Sequence, residues 1–356
     1  MLDFLNTKIE FFGLHFSDYN IRVAKIEKSK KEPVLASLGK GRLEEGVIKE
    51  GRVRDETSLS LAIKRITGNI EGERLGTKYI AASLPEEKSF LQVIEMPKMS
   101  REELRKAALY EAENCIPLPI EDVYLDFQVI PGEKKGHLDI LVASLPKKIV
   151  DPYVSSIEKA GFSPAVLEIE SVSIARAIIE REEFLEPTLI VDIGENKTNF
   201  IISSRGAIQF SSFNSMSSES FTKEISKERD ISLSGAEALK VKYGIEGKEG
   251  ERNLSILNSL SGKLKEEIEK YLAYYDSSSF LLPSKEKKEG IRRIIVCNDG
   301  ASLKGLDSFL SKELGIEVKT GNPFSNFSKG LLDISEKEAQ NYVAAFGLAL
   351  RNFEER

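Results

Sequence analysis

Leu189-Ile190-Val191-Asp192-Ile193-Gly194-Glu195-Asn196-Lys197-Thr198 is the stretch from which the fold is read. An apolar run ends in an aspartate, a glycine permits a tight turn, and polar residues lead into a second apolar strand at 199–202. In such a turn, backbone N–H groups can face an anion while the carboxylate reaches a cation through water. The start of the chain, 11–26, has the same strand-turn-strand layout. There His15 and Ser17 occupy the places where an Asp and a Gly would do that chemistry.

Outward from this hairpin, spacing predicts two similar halves. In the first, strands at 11–16, 20–27 and 34–43 precede a helix over 56–67 with helical apolar spacing at Leu59, Leu61, Ile63 and Ile66, then a strand at 78–84. The second half has strands at 189–191, 199–203 and 207–213, helices at 218–229, 234–243 and 254–277, and a strand at 293–296. A helix at 303–313, a strand at 317–319 and a terminal helix over 336–351 follow. The repetition lies in pattern rather than identity. Between the halves, a strand at 89–96 leads to a helix over 101–114. Ser100 and Glu103 form its capping box, and Pro117 and Pro119 stop it. Strands at 124–130 and 137–144 and a helix at 146–160 closed by Gly161 complete an α+β module. A strand at 165–169 and a helix at 173–181 return to the first half, and alternation puts Glu168 and Glu170 on one strand face.

Composition excludes several classes. A formal net charge of −6 argues against nucleic-acid binding. Two histidines, His15 and His137, cannot build a His-based zinc site or triad, and Cys115 and Cys297 lack CxxC partners, as expected of small buried hydrophobes in a reducing compartment. No run approaches the ~18 apolar residues of a membrane span, and the first ten residues lack the apolar core of a signal peptide. The charge run at 285–289 reads as a solvated loop.

The residues also carry a family pattern. Glu95-Met96-Pro97-Lys98-Met99-Ser100 with Glu103-Leu104, Tyr110-Glu111-Ala112-Glu113, Ile116-Pro117-Leu118-Pro119-Ile120-Glu121-Asp122-Val123 and Leu125-Asp126-Phe127 are its most specific part. Gly46-Val47-Ile48 with Gly51, Asp192-Ile193-Gly194, Gly321-Asn322-Pro323-Phe324 and Phe346-Gly347-Leu348-Ala349-Leu350-Arg351 extend it. In these the chain resembles the PilM family, actin-like components of the type IV pilus assembly platform. The resemblance implies an α/β, two-lobed actin-like (ribonuclease H-like) fold with an inserted α+β domain of the SHS2 type. The first lobe would span 8–84 and 164–187, the insert 85–163 and the second lobe 188–352. The cell-division protein FtsA, a filament former, shares the architecture. It typically ends in an amphipathic membrane-binding helix, whereas this chain ends at Asn352-Phe353-Glu354-Glu355-Arg356, which favours the PilM family.

The fold family binds ATP with magnesium between its lobes. By resemblance the contacting residues are Ser17, Asp18 and Asn20 in the first turn, and Asp192, Gly194, Asn196, Lys197 and Thr198 in the second. Glu237 and Lys240 would reach base and ribose, Gly300 and Ala301 would lie at the adenosine segment, and Asp192 would hold the metal. The chain departs from the pattern at three places: His15-Phe16-Ser17 for Asp-x-Gly, Ser217-Ser218 for a glycine pair, and Cys297-Asn298-Asp299-Gly300 for a glycine-rich run. Glycine belongs where backbone must approach a ligand, because a Cβ would collide. The substitutions predict weak or lost nucleotide binding and, more strongly, lost hydrolysis; no catalytic residue is expected. The alternative is an ATP-dependent switch. The resemblance further implies a PilN-like bitopic membrane protein as partner, whose short cytoplasmic peptide enters a groove at the inserted domain. Leu109, Cys115, Ile116, Leu118, Ile120 and Val123 are the candidate lining residues. The chain would then be cytoplasmic and peripheral at the inner membrane through that partner, without inserting itself, and self-association stays open.

Overall fold

A computed structural model describes residues 9–134, 136–245, 251–277 and 290–354; the charge run at 285–289 lies outside them. In chain order the elements begin with β1 (Phe12–Phe16), β2 (Asn20–Glu27), β3 (Val34–Arg42), β4 (Ile48–Lys49), β5 (Arg52–Val53), α1 (Glu56–Thr67), β6 (Glu71–Gly72) and β7 (Tyr79–Leu84). β8 (Phe90–Pro97), α2 (Arg101–Cys115), β9 (Val123–Lys134), β10 (His137–Pro146), α3 (Lys147–Lys159), β11 (Ser163–Ile169) and α4 (Glu170–Ile178) follow. The remainder is β12 (Thr188–Ile193), β13 (Thr198–Ser204), β14 (Ala207–Asn214), α5 (Ser218–Arg229), α6 (Leu233–Tyr243), α7 (Glu251–Ser277), β15 (Arg293–Cys297), α8 (Leu306–Leu314), β16 (Glu317–Thr320), α9 (Glu336–Ala339) and α10 (Val343–Leu350).

Packing divides the chain into two compact units. One comprises Met1–Ser89, Leu145–Ala177 and Pro323–Arg356, the other Phe90–Ser144 and Ile178–Asn322. The first holds a six-stranded sheet of order β11-β7-β1-β2-β3-β6, the second a five-stranded sheet of order β14-β13-β12-β15-β16. The two are built alike. β1 pairs antiparallel with β2 and parallel with β7; β12 pairs antiparallel with β13 and parallel with β15. This is the duplication legible in the strand pattern. A third sheet, β8-β10-β9, carries α2 on one face around a core of Met96, Leu104, Ala108, Ala112, Ile116, Val123, Ile140 and Val142.

Local signals place most elements. The Ser100–Glu103 capping box opens α2, as its S-x-x-E spacing requires. Gly161 follows α3 at φ +91°, a left-handed conformation that suits glycine. Several expectations need correction. Leu61 is exposed, unlike Leu59, Ile63 and Ile66, which are buried. Glu170 is the first residue of α4, so it does not share a strand face with Glu168. The helix expected at 303–313 starts at Leu306, after a 3-10 turn over Asp299–Ser302. The terminal helix is broken: α9 passes through a 3-10 turn, Gln340–Tyr342, into α10.

α10, expected in the second lobe, packs instead on the first unit. A Cβ on Gly13 of β1 would lie 2.3 Å from the Ala345 carbonyl, and one on Gly347 would lie 1.7 Å from the Ser173 carbonyl. Helix, strand and α4 therefore approach backbone to backbone, at two positions only glycine can fill. Among the described residues, no helix is long and apolar enough to cross a membrane.

Candidate functional site

The residues expected at a nucleotide fall into two sets, one in each unit. In the first unit, Ser17 and Asn20 close the β1–β2 hairpin on themselves. The Ser17 N–H donates to the Asn20 carbonyl at 2.9 Å, and the Asn20 N–H donates to Ser17 Oγ at 3.0 Å. Asp18 accepts from the Glu50 and Gly51 N–H groups at 2.8 and 3.0 Å. Those two residues turn at φ +50° and +69°, and the Gly51 carbonyl accepts from the buried Tyr153 hydroxyl at 3.2 Å. Asp18 thus secures the 44–53 loop. His15 lies within β1, its Nδ1 3.0 Å from Ser83 Oγ, which also accepts the Phe16 N–H.

In the second unit most of the expected residues fall into two hydrogen-bonded groups, one around Asp192 and one running from Gly194 through the start of α5 to Lys240. Asp192 is buried, with 3% exposure. Its carboxylate accepts from Asn199 Nδ2 at 2.8 Å and from Asn298 Nδ2 at 2.9 Å, and Cys297 Sγ lies 3.7 Å away. Burial raises the Asp192 pKa against these hydrogen bonds; burial and the adjacent carboxylate push the Cys297 thiol well up. Asn199 stands directly across the hairpin from Asp192, and Asn298 is held at φ +68°. Gly300, expected at an adenosine segment, has an internal reason to be glycine: a Cβ there would lie 2.2 Å from Ile193 Cγ2. Ala301 is buried beside it.

The 194–197 turn then meets the start of α5. Gly194 donates to the Lys197 carbonyl at 2.9 Å, and Thr198 Oγ1 donates to the Met216 carbonyl at 2.8 Å. Glu195, Asn196 and Lys197 are half-buried. The first four N–H groups of α5 are all engaged. Ser218 donates to the Gly194 carbonyl (2.9 Å), Glu219 to the Glu195 carbonyl (3.1 Å), Ser220 to Ser217 Oγ (3.1 Å) and Phe221 to the Ser217 carbonyl (3.2 Å). Ser220 Oγ returns to accept the Ser217 N–H, completing a reciprocal cap.

Lys240 extends the second group to α6. It is buried and donates to the Ser218 carbonyl (3.1 Å), Ser218 Oγ (2.8 Å) and Thr222 Oγ1 (2.9 Å), with Glu237 Oε2 2.7 Å away. Thr222 Oγ1 in turn donates to Glu237 Oε2 at 2.5 Å. An ammonium has three protons, so these four oxygens account for its capacity. Sequence reasoning missed Asn199, Asn298 and Thr222 as members. The register of the hairpin could have indicated Asn199; nothing local indicated Asn298. Among the described residues, no group of three or more His, Cys, Asp or Glu is placed to hold a metal ion.

The six peptide candidates divide by burial. Ile116 and Val123 belong to the core of the inserted module, at 7% and 5% exposure, so their side chains are spent under α2. Ile120 packs against that core and Cys115 is half-buried. Leu109 and Leu118 are exposed.

Comparison with known proteins places this geometry. At 24% identity and TM-score 0.79, the chain is similar to a chain of the "PilM-PilN type IV pilus biogenesis complex", covering 98% of this chain and 100% of that one. It is also similar to the ethanolamine utilization protein EutJ from Carboxydothermus hydrogenoformans, with 15% identity, TM-score 0.55, and 96% and 89% covered. MreB5 of Spiroplasma citri bound to ADP gives 14% identity, TM-score 0.51, and 95% and 94% covered. These likenesses establish the two-lobed actin-like fold. The model of the family described as "Type IV pilus assembly protein PilM" matches residues 13–353, and the chain belongs to that family.

Proposed function

We propose that this chain is an actin-fold scaffold of the type IV pilus assembly platform that works without hydrolysing ATP. It receives the cytoplasmic peptide of a PilN-like bitopic membrane protein and is held at the cytoplasmic face of the inner membrane by that partner. Family membership supports the pilus role, and the fold likeness to a PilM–PilN complex supports the partner.

One observation carries the nucleotide-independent reading. A helix N-terminus binds phosphate through N–H groups left over by the helix, and α5 has none left over: the 194–195 carbonyls and Ser217 take them all. The other groups agree. Asp18 and Asp192 each already accept two N–H donors, and Lys240 is saturated by Ser218, Thr222 and Glu237. A phosphate with a hydrated cation needs carboxylate oxygens turned toward coordinated water. The residues as arranged do not fit that group.

What these residues do is hold structure. Asp192 ties β12 to the 297–299 segment, and Lys240 ties α6 to α5. On this reading, calorimetric titration with a synthetic PilN-family cytoplasmic peptide gives the same affinity with and without magnesium and ATP. A tenfold change in affinity on adding nucleotide, about 1.4 kcal/mol, would instead assign a switch.

A further inference from the structure

We infer that the edge of the inserted module formed by β9 and the loop before it selects a basic, extended segment, namely the membrane-proximal part of the partner's cytoplasmic peptide. The inference rests on the reading above that the partner is a bitopic membrane protein, and adds the chemistry by which it is recognised.

The sequence is one-sided here. Every charged residue from Ala107 to Gly132 is an Asp or a Glu, in a chain with 51 Lys and Arg. Within that stretch the surface is also apolar: Leu118 and Tyr124 are 36% and 50% exposed. Glu121, Asp122 and Asp126 are exposed among them. β9 explains the part of this interleaving from Tyr124 to Asp126. Val123, Leu125 and Phe127 alternate into the core under α2, so Tyr124 and Asp126 fall on the opposite side. β9 pairs with β10 alone among the described residues, which leaves it an edge strand of the β8-β10-β9 sheet. An edge strand offers main-chain hydrogen bonds to an added extended segment, and side chains along it set which segment is taken.

Charge decides between occupants. A second copy would bring a chain of net charge −6 against an acidic strip, and an anionic lipid surface would repel it. The cytoplasmic flank of a membrane-spanning helix is, by contrast, enriched in Lys and Arg. The strip is complementary to such a flank, with Leu118 and Tyr124 covering its apolar side chains.

The test uses the full chain and a fluorescein-labelled synthetic peptide spanning the cytoplasmic N-terminus of the PilN-family protein of the same organism, read by anisotropy. Expected is an affinity that falls as salt rises from ~0.05 to ~0.5 M, with the loss confined to exposed charges. The E121Q/D122N/D126N variant should bind about tenfold more weakly and lose most of the salt dependence, a change of roughly 1.4 kcal/mol. A control variant E224Q/E228Q/E313Q, altered at exposed acids elsewhere, should bind like the parent, and equal melting temperatures show that all three fold. Parent-like affinity and salt dependence in the E121Q/D122N/D126N variant would overturn the inference while leaving the scaffold reading intact. Absence of binding by the parent chain itself would overturn the scaffold reading, and the inference with it.

Discussion

Asp192 is tied into the structure on both sides of its turn. Its two carboxylate oxygens satisfy the side-chain amides of Asn199 and Asn298, and removing the acceptor strands buried donors. Asp192→Ala is expected to lower unfolding stability by about 1–3 kcal/mol with no nucleotide present, measured by urea denaturation; unchanged stability would return Asp192 to a ligand-binding role. Gly300→Ala should also destabilise, by about 1–3 kcal/mol, because its Cβ meets Ile193. Residues 189–202 predict the hairpin, and its register makes the Asp192–Asn199 pair legible. Asn298 is not legible, since it lies 106 positions away and reaches Asp192 only because its backbone sits at positive φ. The same holds for Asp18: its turn chemistry is local, but its use by Glu50 and Gly51 depends on how the 44–53 loop folds back.

At the scale of elements, α2 and α5 contrast. Ser100 with Glu103 announces the α2 cap in sequence. Ser217 with Ser220 makes the equivalent cap on α5, yet a serine at the third helical position carries no such signal. Of the serines that stand where the resemblance implies a glycine pair, Ser217 serves as the cap of α5. Ser217→Ala should cost about 0.5–2 kcal/mol, with the loss seen as faster hydrogen exchange in the first turn of α5; unchanged exchange there would contradict the closed cap. The misplaced start of α4 has a related cause. Glu170 accepts the Glu86 N–H at 3.4 Å, a tertiary contact that no local spacing encodes, and the break before α10 likewise lacks a proline or glycine marker.

Over the whole molecule, the duplication was readable because each half repeats a hydrophobic pattern, whereas the order of strands within each sheet was not. The return of the C-terminus to the first sheet was not, because it depends on close approaches at Gly13 and Gly347. That return is fastened by Glu168, which pairs with Arg176 (2.6 Å) and Arg351 (2.6 Å), while Arg176 also donates to the Gly347 carbonyl at 3.0 Å. Burial alone would raise the Glu168 pKa, but the two guanidinium groups outweigh it and hold it below the ordinary value. Its contribution to stability is thus full above the unfolded glutamate pKa of about 4.3 and is lost as pH falls through the lower folded value. Arg176→Met, which leaves Glu168 with less compensation, should cost about 3–5 kcal/mol at neutral pH and flatten the acid limb of the stability profile; an unaltered limb would contradict this role. On the proposed reading, this actin-like fold serves as a scaffold, with the groups expected at phosphate engaged by the protein itself. Isothermal calorimetry of the purified chain with ATP and magnesium tests it most directly. No saturable heat is expected up to millimolar ATP, whereas saturable binding at micromolar affinity, about −8 kcal/mol, would assign a working nucleotide site.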